Sequence, residues 1–184
     1  MTPWKLRHAD AVIRHGGILA YPTEAIYGLG CDPLNGVAVK QLCALKNRHL
    51  SKGLILIGAS LQQLMPYCQL SKAQQKKILG AGDKPITWVV PAQKNCPRWI
   101  SGDHDSVAIR ITRHPQARQL CQATGGALIS TSANISGQAP ARTALAVQRM
   151  FAGDVDLIIH GDTDHTIKPS EIRDIQSGKI LRPS

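Results

Sequence analysis

Apolar positions along this chain follow two periods, one helical and one extended, and they alternate from segment to segment. Near the N-terminus Trp4, Ala9, Val12 and Ile13 have helical spacing, which predicts a helix over residues 3–15, with Thr2 as its cap and Gly16-Gly17 as its end. A short apolar strand follows at 18–21. Residues 37–45 again show helical spacing through Val37, Val39, Leu42 and Leu45, then 46–53 is polar and basic, and 54–57 is a continuous apolar run. Further helices are predicted at 60–67 (capped by Ser60), 71–79, 114–123 and 143–151, and further strands at 86–90, 106–111, 127–129, 157–160 and 179–182, with a turn at 80–84. Strands of a few residues interleaved with helices predict an α/β protein: a twisted mixed sheet flanked by helices, forming one domain over residues 1–184.

Composition narrows this picture. Hydrophobic residues are 43% and charged residues 18% of 184, a globular balance. Twenty-two Lys plus Arg against twelve Asp plus Glu leave a net charge of +10, a field that attracts phosphorylated or polyanionic partners. Aromatic residues are only 4%, too few for the stacking platforms of a dedicated reader of single-stranded RNA. The five cysteines are odd in number and never form Cys-x-x-Cys, and the seven histidines form no His-x-x-x-His, so reduced thiols are expected and no metal site. With neither a signal-peptide core nor an apolar run near the roughly 20 residues of a membrane span, the expected location is cytoplasmic.

Standard phosphate-binding signatures are missing: the sequence has no Gly-x-x-x-x-Gly-Lys-Ser/Thr and no Gly-x-Gly-x-x-Gly between a strand and a helix. The chemistry is left to polar segments beside predicted strands. Tyr21-Pro22-Thr23-Glu24, leading to Gly28-Leu29-Gly30, reads equally as a structured turn and as a binding loop. Lys46, Arg48 and Lys52 bring three cations into seven residues, suited to a triphosphate but also to a helix C-terminus. Ser130-Thr131-Ser132-Ala133-Asn134 places three short polar side chains in phase, more than a turn requires. Arg110, in phase with Ser106, and Arg182 each fit an anionic ligand or a structural ion pair.

Taken in order, Tyr-Pro-Thr-Glu at 21–24, Lys-x-Arg at 46 and 48 with Lys52, Ser-Val-Ala-Ile-Arg at 106–110, Ser-Thr-Ser-Ala-Asn at 130–134 and Pro-Ser-Glu-Ile-Arg-Asp at 169–174 resemble the YrdC/TsaC family, from about residue 11 to 182. The resemblance implies a YrdC-like fold with a basic cavity, and a nucleotidyl transfer that makes threonylcarbamoyl-AMP and pyrophosphate from L-threonine, bicarbonate or CO2, and ATP. A separate transferase complex would then use the product to modify tRNA. By the same resemblance Thr23, Arg110 and Ser130 are expected at threonine. Lys46, Arg48, Lys52, Ser106, Ser132, Asn134 and Arg182 are expected at ATP, with Lys46 and Arg48 stabilising the reacting phosphates. Magnesium is expected with ATP but without a dedicated carboxylate cage, and Glu24 is a candidate water-mediated ligand. Relatives often read Lys-Pro-Leu where this chain has Lys52-Gly53-Leu54, Pro-Gly-Pro-x-Thr where it has Asp83-Lys84-Pro85-Ile86-Thr87, and some have a threonine-contacting His at Ile57. The competing reading is a non-catalytic protein that binds tRNA or other structured RNA through its charge.

Overall fold

The computed structural model describes residues 1–82, 85–163 and 170–183. Asp83 and Lys84 of the predicted turn, and Pro169 of the last motif, lie outside the described residues. In chain order the elements are α1 (Pro3–Arg14), β1 (Leu19–Pro22), β2 (Tyr27–Gly30), α2 (Gly36–Leu45), β3 (Ile55–Gly58), α3 (Leu61–Leu64), α4 (Lys72–Leu79), β4 (Ile86–Pro91), α5 (Arg98–Ser101), β5 (Ser106–Ile111), α6 (Pro115–Ala123), β6 (Leu128–Ser132), α7 (Ala144–Phe151), β7 (Leu157–Ile158), β8 (Glu171–Asp174) and β9 (Ile180–Arg182). Short 3-10 turns occupy Leu50–Lys52 and Met65–Tyr67.

The strands form one sheet in the order β7-β1-β2-β6-β3-β5-β4-β8-β9. It is mixed: β1 with β7, β3 with β5 and β4 with β8 run parallel, and the remaining neighbours are antiparallel. Pro22 is tolerated at the end of β1 because β7 pairs only as far as Ala20, so the missing N–H breaks no ladder.

Side-chain alternation sends each strand's residues to two cores. Leu29, Leu56, Val107, Ile109 and Ile129 point to the face covered by α2, α3, α4 and α7. Leu19, Tyr21, Ile57 and Leu128 point to the opposite face, where Ala9 and Ile13 of α1 and Ala117, Leu120 and Cys121 of α6 cover them. Those two helices cover only part of that face.

Several differences from the predicted elements have local causes. The segment 27–30 is a strand, not a loop: Tyr27 and Leu29 alternate into the core, while on the other face Gly28 leaves room beside Thr23 and Ser130 and Gly30 lies against Tyr21. The helix predicted at 60–67 stops after Leu64 and tightens to a 3-10 turn containing Pro66, which cannot donate to a continuing helix. Ser60 makes no side-chain cap there, and Gln63 instead accepts from the Ala59 N–H at 2.7 Å. By contrast, Ser71 forms a full capping box with Gln74 on α4. The one-turn α5 and the strand β8 were not among the predicted elements.

Candidate active site

The uncovered part of the second sheet face is the floor of a cavity of about 690 Å³. Ser130, Ile55, Ala108 and Val89 are register partners across four strands, so their side chains form a row on that floor. The walls come from the turn 23–26, the Arg48–Leu54 segment, Ser101 and His104, Asn134 and Pro140, and the β8–β9 end of the sheet. Among the ten residues the sequence analysis selected, Thr23, Arg48, Lys52, Ser106, Arg110, Ser130, Ser132, Asn134 and Arg182 line this one cavity. Lys46 does not.

At one end, the four-residue turn between β1 and β2 brings Thr23 and Glu24 over the floor. Thr23 donates its hydroxyl to Ile26 O at 2.7 Å, which closes the turn and leaves the Oγ lone pairs free to accept. Gly28 keeps this end open: a Cβ there would stand 3.2 Å from Thr23 Cγ2 and 3.4 Å from Ser130 Oγ. Arg110 is buried at 8% exposure, with Nη1 donating to Ser170 Oγ at 3.0 Å and Nη2 lying 3.6 Å from Glu24 Oε2. Glu24 accepts on Oε1 from Thr112 Oγ1 at 3.1 Å and from the Arg113 N–H at 3.4 Å. Burial pushes the Glu24 carboxyl up, but Arg110, the backbone N–H groups and Thr112 outweigh it and hold the group below its ordinary value.

At the other end the stop of α2 separates two cations. Asn47 adopts φ 49°, Arg48 N–H donates to Cys43 O at 2.9 Å, and Asn47 N–H donates to Ala44 O at 2.9 Å, the double return of a Schellman motif with Asn in the left-handed position. That reversal sends Arg48 into the cavity, where its Nη2 donates to Gly53 O at 2.8 Å. Gly53 presents this carbonyl from a left-handed backbone, φ 62°, that a proline cannot adopt.

Lys46 turns the other way and is buried behind the wall. Its Nζ donates to Ser132 O, to Asn134 O at 2.7 Å and to Asn134 Oδ1 at 3.4 Å. The ammonium therefore ties the end of β6 to the following loop. Burial, and then Arg48, lower the Lys46 pKa to about 8. Asn134 is fixed further by donating Nδ2 to Ile135 O and Gln138 O, both at 2.9 Å. Ser132, Asn134 and Lys46 thus form one hydrogen-bonded unit beside the cavity.

Ser170 was not among the predicted site residues. Its hydroxyl meets Arg110 Nη1 and Thr87 Oγ1, each at 3.0 Å, and its backbone oxygen accepts from Arg182 Nη2 at 2.9 Å. The signal for it was the Ser-Glu-Ile-Arg-Asp string itself, which named a segment but no side chain. Ile57, where some relatives carry a histidine, packs fully buried against the α1–α6 cluster, and its register partner Arg110 supplies the polar group at this level of the floor.

Charge in the cavity is lopsided. Arg48, Lys52, Arg110 and Arg182 face Glu24 as the one carboxylate among the described lining residues. Burial and the nearby Arg110 lower the Arg182 pKa, as expected for a partly buried cation beside another cation. The arrangement suits a ligand with several negative charges and one end able to engage a paired arginine and carboxylate.

The sequence matches the Sua5/YciO/YrdC family model, whose description reads "telomere recombination", over residues 11–184. The chain belongs to the Sua5/YciO/YrdC family. A threonylcarbamoyl-AMP synthase of Halorhodospira halophila is 48% identical over 181 residues, covering 98% of this chain and 95% of that protein. One of Cellvibrio japonicus is 44% identical over 189 residues, with both chains covered completely. Among solved structures, P. abyssi Sua5 complexed with L-threonine superposes with a TM-score of 0.92 at 32% identity, covering 100% of this chain and 55% of that one. This chain thus spans about half the length of that Sua5. E. coli YciO shares the Sua5/YciO/YrdC fold at a TM-score of 0.85, covering 98% of this chain and 89% of its own, and at 22% identity the likeness concerns fold alone.

Proposed function

We infer that this chain is a threonylcarbamoyl-AMP synthase, which joins L-threonine, bicarbonate or CO2, and ATP into threonylcarbamoyl-AMP with release of pyrophosphate. The observation that carries this reading is the convergence of Thr23, Arg110 and Ser130 with Arg48, Lys52, Ser132, Asn134 and Arg182 in a single cavity. End-to-end similarity to proteins bearing that name supports it.

The chemistry asks little of the protein beyond placement and charge. Threonine's ammonium first loses a proton to water, and the neutral amine then bonds to the carbon of CO2, opening one C=O bond and releasing a second proton, to give a carbamate; a carbamate oxygen then attacks the α-phosphorus, and the bond to pyrophosphate breaks. No protein nucleophile is required. Arg110 offers a forked partner for the threonine carboxylate, and Thr23 and Ser130 offer hydroxyls on the same end. Arg48, Lys52 and Arg182 offset charge that builds on the phosphates. Lys46 acts on this end from behind, by holding the Ser132–Asn134 segment. Magnesium arrives as part of the substrate, MgATP. Among the described residues no three of His, Cys, Asp and Glu are grouped to hold an ion.

The product would pass to a tRNA-modifying transferase complex. A cytoplasmic setting accords with five free cysteines and, among the described residues, no helix long and apolar enough to cross a membrane. The deciding experiment incubates the protein with all three substrates and seeks threonylcarbamoyl-AMP by mass spectrometry. The adenylate should form, and pyrophosphate release should require both threonine and bicarbonate. Salt-sensitive RNA affinity without such turnover would overturn the reading in favour of a non-catalytic RNA-binding protein.

A further inference from the structure

We propose that Trp99 positions the phosphate-binding Arg48 from outside the cavity, with the one-turn helix α5 as the strut between them. This rests on the ATP assignment above and adds to it a residue that touches no substrate: Trp99 is half-buried and does not line the cavity. Charge makes such a strut necessary. Lys46, Arg48 and Lys52 fall within seven residues, so like charges push the link between α2 and β3 open. That link holds no regular element beyond the 3-10 turn Leu50–Lys52.

The residues from α5 onward hold the link closed. Leu54 N–H donates to Ile100 O at 2.9 Å and Asp103 N–H donates to Ser51 O at 3.1 Å, so the chain is stitched to residues 100–103 on both sides of Gly53. Gly53 is pressed against that stretch: a Cβ on it would stand 2.9 Å from Ser101 O. Its left-handed backbone aims its carbonyl at Arg48 Nη2, 2.8 Å away. A four-residue helix does not hold itself, because fixing one turn costs more conformational entropy than its few hydrogen bonds offset. Two anchors fix α5 instead. Ile100 is fully buried in the core, and Trp99 donates its indole Nε1–H to Pro33 O at 3.0 Å while its six-membered ring lies against Gly36, the first residue of α2. A Cβ at Gly36 would stand 3.2 Å from two carbons of that ring. One turn of helix thus joins the start of α2 to the cationic link that leaves its end, and a displacement of Trp99 passes through Ile100 and Gly53 to Arg48.

The test uses the full chain with magnesium and without threonine, and compares ATP with adenosine by calorimetry. Trp99→Phe keeps a flat ring against Gly36 and removes only the indole donor. It should weaken ATP binding by about three- to fivefold, the worth of one hydrogen bond, and leave adenosine within about twofold. On an Arg48→Ala background the same substitution should weaken ATP by no more than about 1.5-fold, because the residue through which it acts is gone. Unchanged ATP affinity in Trp99→Phe, equal weakening of ATP and adenosine, or an undiminished loss without Arg48 each overturns the strut. Thermal unfolding checks that the variants are folded; if Trp99→Phe is not, Gly36→Ala presses the same indole from the α2 side and the same outcomes decide. A wild type that holds ATP no more tightly than adenosine overturns the ATP assignment itself, which separates that failure from failure of the strut.

Discussion

The backbone oxygen of Ser170 accepts from Arg182 Nη2 at 2.9 Å while the hydroxyl of the same residue accepts from Arg110, so one residue joins two arginines of the cavity. The two bonds differ in kind, because only the hydroxyl is lost on mutation. Ser170→Ala should therefore raise the threonine KM by about fivefold or more, the worth of one hydrogen bond to a charged group, and leave the ATP KM within about twofold. Steady-state pyrophosphate release with each substrate varied in turn checks this. Equal changes in both constants would contradict separate anchoring.

Lys46 supplies a pH signature. Its pKa is lowered by burial to about 8 in the folded protein, against 10.5 ordinarily, so between these values the unfolded chain binds more protons than the folded one. Stability from this group therefore rises as pH increases from about 8 to about 10.5, and is lost as pH falls through 8. Lys46→Met has no such group. Wild type should gain stability relative to this variant between pH 7.5 and 9.5, measured by denaturant unfolding, with other titrations cancelling in the difference. The variant should also lose activity, because the Ser132–Asn134 segment loses its tie to the end of α2 and keeps only its own internal hydrogen bonds.

Two glycines separate backbone strain from crowding. Gly102 has φ 66° and ψ −136°, a region open essentially to glycine alone, and a Cβ there would stand 2.6 Å from Gly53 N and 2.7 Å from Ser51 C. Gly137 has φ 86°, with nothing within 4 Å of the added carbon. Gly137→Ala should cost about 1 kcal/mol, and Gly102→Ala at least about 2 kcal/mol, because strain is joined by collision with backbone. Gly102→Ala should further raise the ATP KM, since the displaced Gly53 is the residue whose carbonyl holds Arg48. Thermal unfolding and ATP titration of both variants test the pair.

Much of this architecture was legible from residue order, and the exceptions have physical reasons. Strands β4 and β5 announce themselves as apolar or alternating runs, and β5 carries Ser106 and Arg110 on the face their spacing predicts. Strand β2 was hidden because two of its four residues are glycines, chosen for what must stay empty rather than for strand preference. Strand β8 was hidden because its polar residues are only half-buried near the sheet's edge. The cluster of site residues was visible as separate strings. What could not be read was direction: whether Lys46 reaches the ligand or the protein depends on the left-handed turn at Asn47 and on a partner segment 86 residues away. Ser170 likewise acquires its role through Thr87 and Arg110, 83 and 60 positions distant.

The partial cover provided by α1 and α6 ties the site to the body of the molecule. Leu128 and Ile57 sit beneath those helices, yet Leu128 lies two positions before Ser130 on one strand, and Ile57 is the register partner of Arg110 on the next. Substrate recognition is thus an extension of the same ribbons that anchor the hydrophobic interior, so the enzyme has no means of softening its binding surface while the remainder stays rigid. Loosening either helix unsettles both at once.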